Sequence, residues 1–415
     1  MSGKTELLLF DDLAPQVVVE NGIFVNVPPA HSIAESGTTI SFHIHGSEGD
    51  YLDLNDSLLY VKFQVLTSDK KQLAATATLA AVNYTLNALF SDITVYLNDT
   101  IIEGGAQLYP YKSTIENIFG FNRQTRKLQL APMGYDADRD NRKAWIARSA
   151  DKELVGALRI DFFNQPKYLL PNVDVRVVLT KSKAKFALCG GGGGNPRLVI
   201  SEAKLYIRRV RVNTSVSTAH ELSLEKKNAI YPYTRGQVIS YSIAAGSLSH
   251  FRDNVFSSSL LPKFVIVGFV KASAFNGDNV DDEPFHFQHF NVSSIALYRD
   301  GLSLPYREPY EPDFAHDLFT KDYMKSIIHN PQHLNTNLNN GISLKDFKDM
   351  YTLFTFNLTP DFDMTQCQMP KDGNLRLEVK FAQPLPNAIN VLVYGTFDTQ
   401  IEITKDRKVV CSHVH

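Results

Sequence analysis

The sequence predicts an all-β protein made of two antiparallel sandwich domains of one kind in tandem. Three observations carry this. Ile93-Thr94-Val95-Tyr96-Leu97-Asn98-Asp99, an apolar alternation running into a turn, returns as Ile295-Ala296-Leu297-Tyr298-Arg299-Asp300-Gly301. Leu158-Arg159-Ile160-Asp161, followed by Gln165-Pro166 and Pro171-Asn172, returns as Leu375-Arg376-Leu377-Glu378 with Gln383-Pro384 and Pro386-Asn387. Period-2 alternation dominates the chain, and helical spacing is rare. Solenoid units repeat every roughly 20–50 residues, so a recurrence near 200 marks a duplicated domain instead. The offset rises from 202 at Ile93/Ile295 to 217 at Leu158/Leu375, which predicts an insertion of 15 residues midway through the second copy.

The elements follow in chain order. Residues 1–36 show scattered prolines and no sustained period, which predicts an extended arm. Leu59, Val61, Phe63 and Val65 alternate with Tyr60, Lys62 and Gln64, the pattern of a strand with one buried face. Ile115, Ile118 and Phe119 take helical spacing after Tyr109-Pro110-Tyr111. Val173, Val175 and Val177 predict a strand, and so does Leu198 to Val212. The Gly190–Gly194 run therefore reads as a flexible loop late in the first domain, with the boundary near Asn213 to Thr218. The expected division is an arm over 1–36, a first sandwich over 37–214 and a second over 215–415.

In the second copy, Phe264-Val265-Ile266-Val267-Gly268-Phe269-Val270 is apolar on both faces, so it is central in its domain or pressed against another domain or subunit, and the second option hints at an assembly. Tyr323, Met324, Ile327 and Ile328 take helical spacing after Glu308-Pro309-Tyr310. Ser343-x-x-Asp346 is a helix-capping pattern with Leu344, Phe347 and Tyr351 behind it. Leu375, Leu377, Val379 and Phe381 alternate with Arg376, Glu378 and Lys380 in the clearest strand of the chain.

With 415 residues, the chain can bury two cores. Its 42 Lys plus Arg nearly balance 44 Asp plus Glu, whereas phosphate neutralisation normally demands a basic excess. The runs Arg208-Arg209-Val210-Arg211 and Lys181-Ser182-Lys183-Ala184-Lys185 read as charged strand faces rather than a nucleic-acid groove. Cys189, Cys367 and Cys411 are few, odd in number and far apart, which fits a reducing compartment and no disulfide framework. Leu7 to Phe10 is too short an apolar run for a signal peptide, and no stretch approaches the ~20 apolar residues of a membrane span. The sequons at Asn83 and Asn357 then read as ordinary strand and turn residues.

Candidate chemistry is thin. Asp136-Ala137-Asp138-Arg139-Asp140 resembles the start of a calcium loop, but Asn141 stands where Gly is required and Ala147 where a bidentate Glu is required. His43 and His45 share one face of a strand without a clear third ligand. His286 and His289 are weaker, and the tail Cys411, His413, His415 reads as an adventitious cluster. No Lys-Ser/Thr follows the glycine run, and neither G-x-S-x-G nor H-E-x-x-H occurs. The expectation is a protein that is not an enzyme, with no catalytic, cofactor-binding or metal residues and no cofactor.

The chain resembles the major capsid proteins of Polinton (Maverick) elements and the related adintoviruses over roughly residues 40 to 400. The resemblance rests on an ordered set of segments: Tyr51-Leu52-Asp53-Leu54 into Leu58–Val65; Ala88-Leu89-Phe90-Ser91 into Val95-Tyr96-Leu97-Asn98; and Tyr109-Pro110-Tyr111-Lys112. It continues through Leu154-Val155-Gly156 and Leu158 to Phe163, then Ala203 to Arg208, Ala219-His220-Glu221, and Arg299 through Pro309 to Asp313-Phe314. It implies a double jelly roll, two eight-stranded sandwiches with a few short helices in long connections. It also implies a homotrimer forming a pseudo-hexameric capsomer, contacts to neighbouring capsomers and to a single jelly-roll penton protein, and an icosahedral virion capsid around double-stranded DNA. Synthesis in the host cytosol and assembly in nucleus or cytoplasm follow. The long connections would be outward projections or subunit clasps, and the arm would clasp a neighbour or line the shell. A virophage or polinton-like virus capsid protein is similar enough to share this reading. The main rival keeps the fold as a carbohydrate-binding module or a cupin-like protein. Against it, the copies share no matching histidines and Trp145 is the one tryptophan.

Overall fold

The computed structural model describes residues 18–411 apart from 36, 76, 106–107, 191–194, 258–259, 300, 306, 329–340 and 361–370. Eight strands build the first sandwich: β1 (Val19–Val27), β2 (Thr39–Ile44), β3 (Asp50–Leu66), β4 (Phe90–Leu97), β5 (Thr100–Glu103), β6 (Lys152–Gly156), β7 (Val175–Lys181) and β8 (Arg197–Val212). They form two antiparallel sheets, ordered β1-β8-β3-β6 and β2-β7-β4-β5. The alternation in β3 does what its sequence requires. Leu59, Val61, Phe63 and Val65 are fully buried, while Tyr60, Lys62 and Gln64 on the other face are partly exposed.

The second sandwich is β9 (Ala229–Ile243), β10 (Ser249–Arg252), β11 (Phe264–Lys271), β12 (Val292–Arg299), β13 (Leu302–Leu304), β14 (Leu353–Asn357), β15 (Leu375–Phe381) and β16 (Ile389–Ile403). Its sheets run β9-β16-β11-β14 and β10-β15-β12-β13, with β17 (Val409–Cys411) added beside β16. Adding eight to each strand number of the first sandwich gives the second, so the duplication is complete at the level of topology. Both copies also place one long connection between hairpin and next strand, residues 104–151 and 305–352, 48 in each.

Ladder register corrects the repeat alignment. Ile93 pairs with Leu179 and Leu97 with Val175, while Ile295 pairs with Val379 and Arg299 with Leu375. Val175, not Leu158, is thus the counterpart of Leu375, an offset of 200, and the 15-residue insertion expected in the second copy does not exist. Leu158 and Ile160 are buried like strand residues, but they lead into a 3-10 turn over Asp161–Asn164. The arm expectation also changes. Within residues 1–36, β1 pairs with β8 along its length as the edge strand of the first sandwich. Most of its side chains are exposed on both faces, which is why the segment shows no hydrophobic period.

The helices at Tyr109–Gly120, Thr320–Ile328 and Leu344–Asp349 sit where spacing placed them, whereas those at Arg139–Trp145 and Thr214–Leu224 stand where the sequence predicts a turn and a domain boundary. In the first long connection α1 (Tyr109–Gly120) is buried on nearly every side, and α2 (Arg139–Trp145) starts at the Asp138 cap. Asn213 caps α3 (Thr214–Leu224), the helix joining the two sandwiches. In the second connection lie α4 (Thr320–Ile328) and α5 (Leu344–Asp349). Ser343 and Asp346 close a full capping box on α5, each side chain accepting from the other residue's backbone N–H. Strand β11 settles its own ambiguity by doing both jobs. Phe269 points into the second core against Phe381 and Phe354, while Phe264 on the opposite face meets Phe119 of α1, ring centroids 6.3 Å apart.

Candidate functional site: the joint between the two sandwiches

Helix α1 positions the joint. Its Tyr111 and Phe119 face outward from the first sandwich because the second supplies their cover. Tyr111 stacks on Phe275 at 5.5 Å and meets Phe285 edge-on, and Phe186 meets Phe285 in the same way. At one margin Arg142, buried, reaches Glu283 at 3.1 Å and donates to the Ala81 carbonyl at 2.9 Å. At another, the Arg407 guanidinium donates to the Pro171 carbonyl at 2.9 Å, while the Arg407 carbonyl accepts from Asn98 Nδ2 at 2.7 Å.

Between these margins lies a buried charged cluster. Lys112 of α1 forms ion pairs with Glu103 of β5 and, at 2.9 Å, with Asp161. Asp161 Oδ2 also accepts the Gly236 backbone N–H of β9 at 2.9 Å, and Glu103 accepts the Asp161 N–H at 2.8 Å. Glu116, one turn along α1 from Lys112, accepts from the Tyr394 hydroxyl of β16 at 3.3 Å. Burial raises Asp161 well above the usual carboxylate range, with Glu103 adding to it, and burial raises Glu116 against the pull of Lys112 and Arg159. Burial alone would lower Lys112, but the carboxylates of Asp161 and Glu103 outweigh it and hold the ammonium charged. The cluster binds one sandwich to the other through groups each of which needs the rest.

The residues singled out from sequence lie elsewhere. Asp136 and Asp138 spend their carboxylates on local turns, accepting the N–H groups of Asp138 and Asp140, and Asn141 donates to Asp136. His43 is exposed on β2, and His45 lies 3.8 Å from Asp174 at the surface. His286 bonds the Asp349 carbonyl, and His289 stacks on Phe314 at 4.3 Å. Cys189 is buried and Cys411 half-buried. Cys367, His413, His415 and Gly191–Gly194 lie outside the described residues. Gly190, at positive φ, donates its N–H to the Val280 carbonyl of the second sandwich. Among the described residues no group of three or more His, Cys, Asp or Glu is placed to hold a metal, and no helix is long and apolar enough to cross a membrane.

Solved structures share this architecture from end to end. A chain of the Sputnik virophage matches with TM-score 0.66 and 9% identity, covering 99% of this chain and 92% of its own. The fold is a double jelly roll. The mavirus major capsid protein matches at 0.57 with 11% identity over 97% and 92% of the two chains. The Faustovirus major capsid protein matches at 0.60 with 9% identity over 96% and 93%. In sequence, an uncharacterized protein of Caenorhabditis elegans is 22% identical over 333 residues, 77% of this chain and 78% of its own length. No family model matches the sequence.

Sequence reasoning missed the joint. Lys112 and Asp161 lie inside segments that carry the family resemblance, yet nothing local distinguishes them from surface charges. The one available signal is α1 itself, whose Ile115, Ile118 and Phe119 sit beside Tyr109 and Tyr111, more apolar surface than one sandwich covers.

Proposed function

We propose that the chain is a structural major capsid protein of the Polinton (Maverick) kind, acting as a homotrimer with pseudo-hexameric outline. The observation that supports it best is the doubled topology itself, shared over nearly the whole chain with viral capsid proteins. Three chains of two like sandwiches present six near-equivalent units, which is what a sixfold lattice position requires, and the buried joint makes each pair move as one body. Such capsomers would meet one another and a single jelly-roll penton protein in an icosahedral shell in the virion, after synthesis in the host cytosol. The near-balanced charge suits a wall that encloses double-stranded DNA without gripping it. The modules divide at 214/215, with β1 assigned to the first. No enzymatic activity and no cofactor belong to this reading.

The test is the solution mass by light scattering, with negative-stain images of the same peak. A trimer of hexagonal outline is expected. A monomer over a wide concentration range, with no larger species at high salt, overturns it.

A further inference from the structure

Inside the joint, three side chains are arranged as the parts of a covalent reaction. Lys112 of α1 and Asp161 of the 3-10 turn are both buried. The Lys112 Nζ stands 2.9 Å from Asp161 Oδ2, which is one bond away from the carboxyl carbon Cγ. The same Nζ bonds a Glu103 oxygen at the end of β5. The other Glu103 oxygen accepts the Asp161 backbone N–H at 2.8 Å, which anchors the carboxylate beside the amine. From the second sandwich, the Gly236 N–H of β9 donates to Asp161 Oδ2 at 2.9 Å. An amine, a carboxyl carbon, a base touching the amine and a backbone donor on the carboxyl oxygen are what closing an amide requires.

The two carboxylates are not equivalent. The Asp161 side chain is 5% exposed against 16% for Glu103. Burial, with Glu103 adding to it, raises Asp161 well above the ordinary carboxylate range and so favours its neutral, electrophilic form. Glu103, nearer the surface, is placed to carry protons. Glu116, one turn along α1, is engaged by the Tyr394 hydroxyl instead.

We infer that Lys112 and Asp161 condense to a side-chain amide in the folded chain, with Glu103 as the base, stapling α1 to the turn at Asp161. Glu103 takes one proton from the ammonium and delivers it to Asp161 Oδ1. The freed lone pair of Nζ forms the Nζ–Cγ bond, while the Cγ–Oδ2 π pair moves onto Oδ2 and is held by the Gly236 N–H. Glu103 then carries a second proton from Nζ to Oδ1. The Cγ–Oδ1 bond breaks, Oδ1 leaves as water and the Cγ–Oδ2 double bond re-forms. The third ammonium proton stays on the amide nitrogen, Glu103 ends as the carboxylate it began, and nothing is oxidised or reduced.

The reactive form, an amine beside a neutral acid, differs from the ion pair by one proton. Burial narrows the gap between the two, because neither ion is hydrated. Fixed geometry supplies an effective concentration of about 10⁵ M or more, and a dry site withholds the water that reversal needs. The ion pair is the state of the newly folded chain, and the amide follows from it. The bond is independent of whether the protein builds a capsid.

The test is the intact mass of the full chain, followed over time after purification, with a peptide map of the same samples. Expected is a species lighter by one water, and a branched peptide joining the segments that carry Lys112 and Asp161. A chain held in urea keeps its full mass, since the groups meet only in the fold. Glu103→Gln preserves shape but cannot carry the proton, so the rate falls about a hundredfold. Lys112→Arg keeps the charge, removes the nucleophile and abolishes the loss. A full mass that persists in the folded parent, an amide formed at Glu103 instead, or an unchanged rate in Glu103→Gln each overturn the inference. Should a variant fail to fold, the mass and peptide map of the parent decide alone.

Discussion

Asp161 Oδ2 lies 2.9 Å from Lys112 Nζ and, at the same distance, accepts the backbone N–H of Gly236 from the other sandwich. One carboxylate oxygen thus closes an ion pair within the first jelly roll and a hydrogen bond to the second. Lys112 is the shared partner of Glu103 and Asp161. Lys112→Met should cost about 3–5 kcal/mol at pH 7, the usual cost of breaking a buried ion pair by removing one partner. Urea unfolding of the variant against the parent checks it. A loss below 1 kcal/mol would mean that water reaches the cluster.

The pH dependence of stability follows from the same group of residues. Asp161 and Glu116 have folded pKa values raised above the ordinary 3.8 and 4.5. Above those values the folded state holds protons that the unfolded chain has released. Their contribution is therefore fully present at low pH and is lost as pH rises through the folded values, levelling off beyond them. Asp161→Asn combined with Glu116→Gln should flatten this decline while keeping the acceptors for Gly236 and Tyr394. Unfolding free energies measured from pH 4 upward give the two slopes, and equal slopes would refute the assignment.

Cysteine reactivity tests burial at another edge of the joint. Cys189 has its thiol pushed up to about 11 by burial, with Glu283 nearby reinforcing the shift, and its sulfur lies 3.7 Å from the Ala81 carbonyl. Only about one part in ten thousand is thiolate at pH 7, so alkylation should be negligible in the native protein and complete in urea. Mass spectrometry after iodoacetamide treatment reads it per residue. Rapid native labelling of Cys189 would show that the joint opens.

Much of this fold is legible in the sequence, and the reasons for the rest are physical. The strand holding Ile93, Val95 and Leu97 and its copy at Ile295 and Leu297 alternate because each has one core face. Leu158 and Ile160 alternate as well, but loop burial can mimic strand burial, and only ladder partners tell them apart. Strand β1 is invisible because an edge strand exposed on both faces has no period to read. The joint is hidden for a deeper reason. Glu103, Lys112, Glu116 and Asp161 are covered by a domain that begins more than 50 residues downstream of the last of them, and no local pattern encodes that cover.

Close approach at Gly395 offers a final test, on the core of the second jelly roll. A Cβ built at Gly395 in β16 would stand 2.5 Å from Phe256 Cζ, and Phe256 is wedged edge-on against Phe397, ring centroids 5.3 Å apart. Packing against Phe397 resists a retreat of the ring, and no positive φ is involved, so the objection to a side chain is steric alone. Gly395→Ala should therefore destabilise by about 1–3 kcal/mol, and Gly395→Val by more. Phe256→Leu costs stability by itself, since it removes aromatic packing, yet it vacates the space that the new methyl needs. The double variant should accordingly be more stable than the sum of the two losses implies, by at least about 0.5 kcal/mol. Thermal and urea unfolding of the four proteins close the cycle. Strict additivity would place the clash somewhere other than the Phe256 ring.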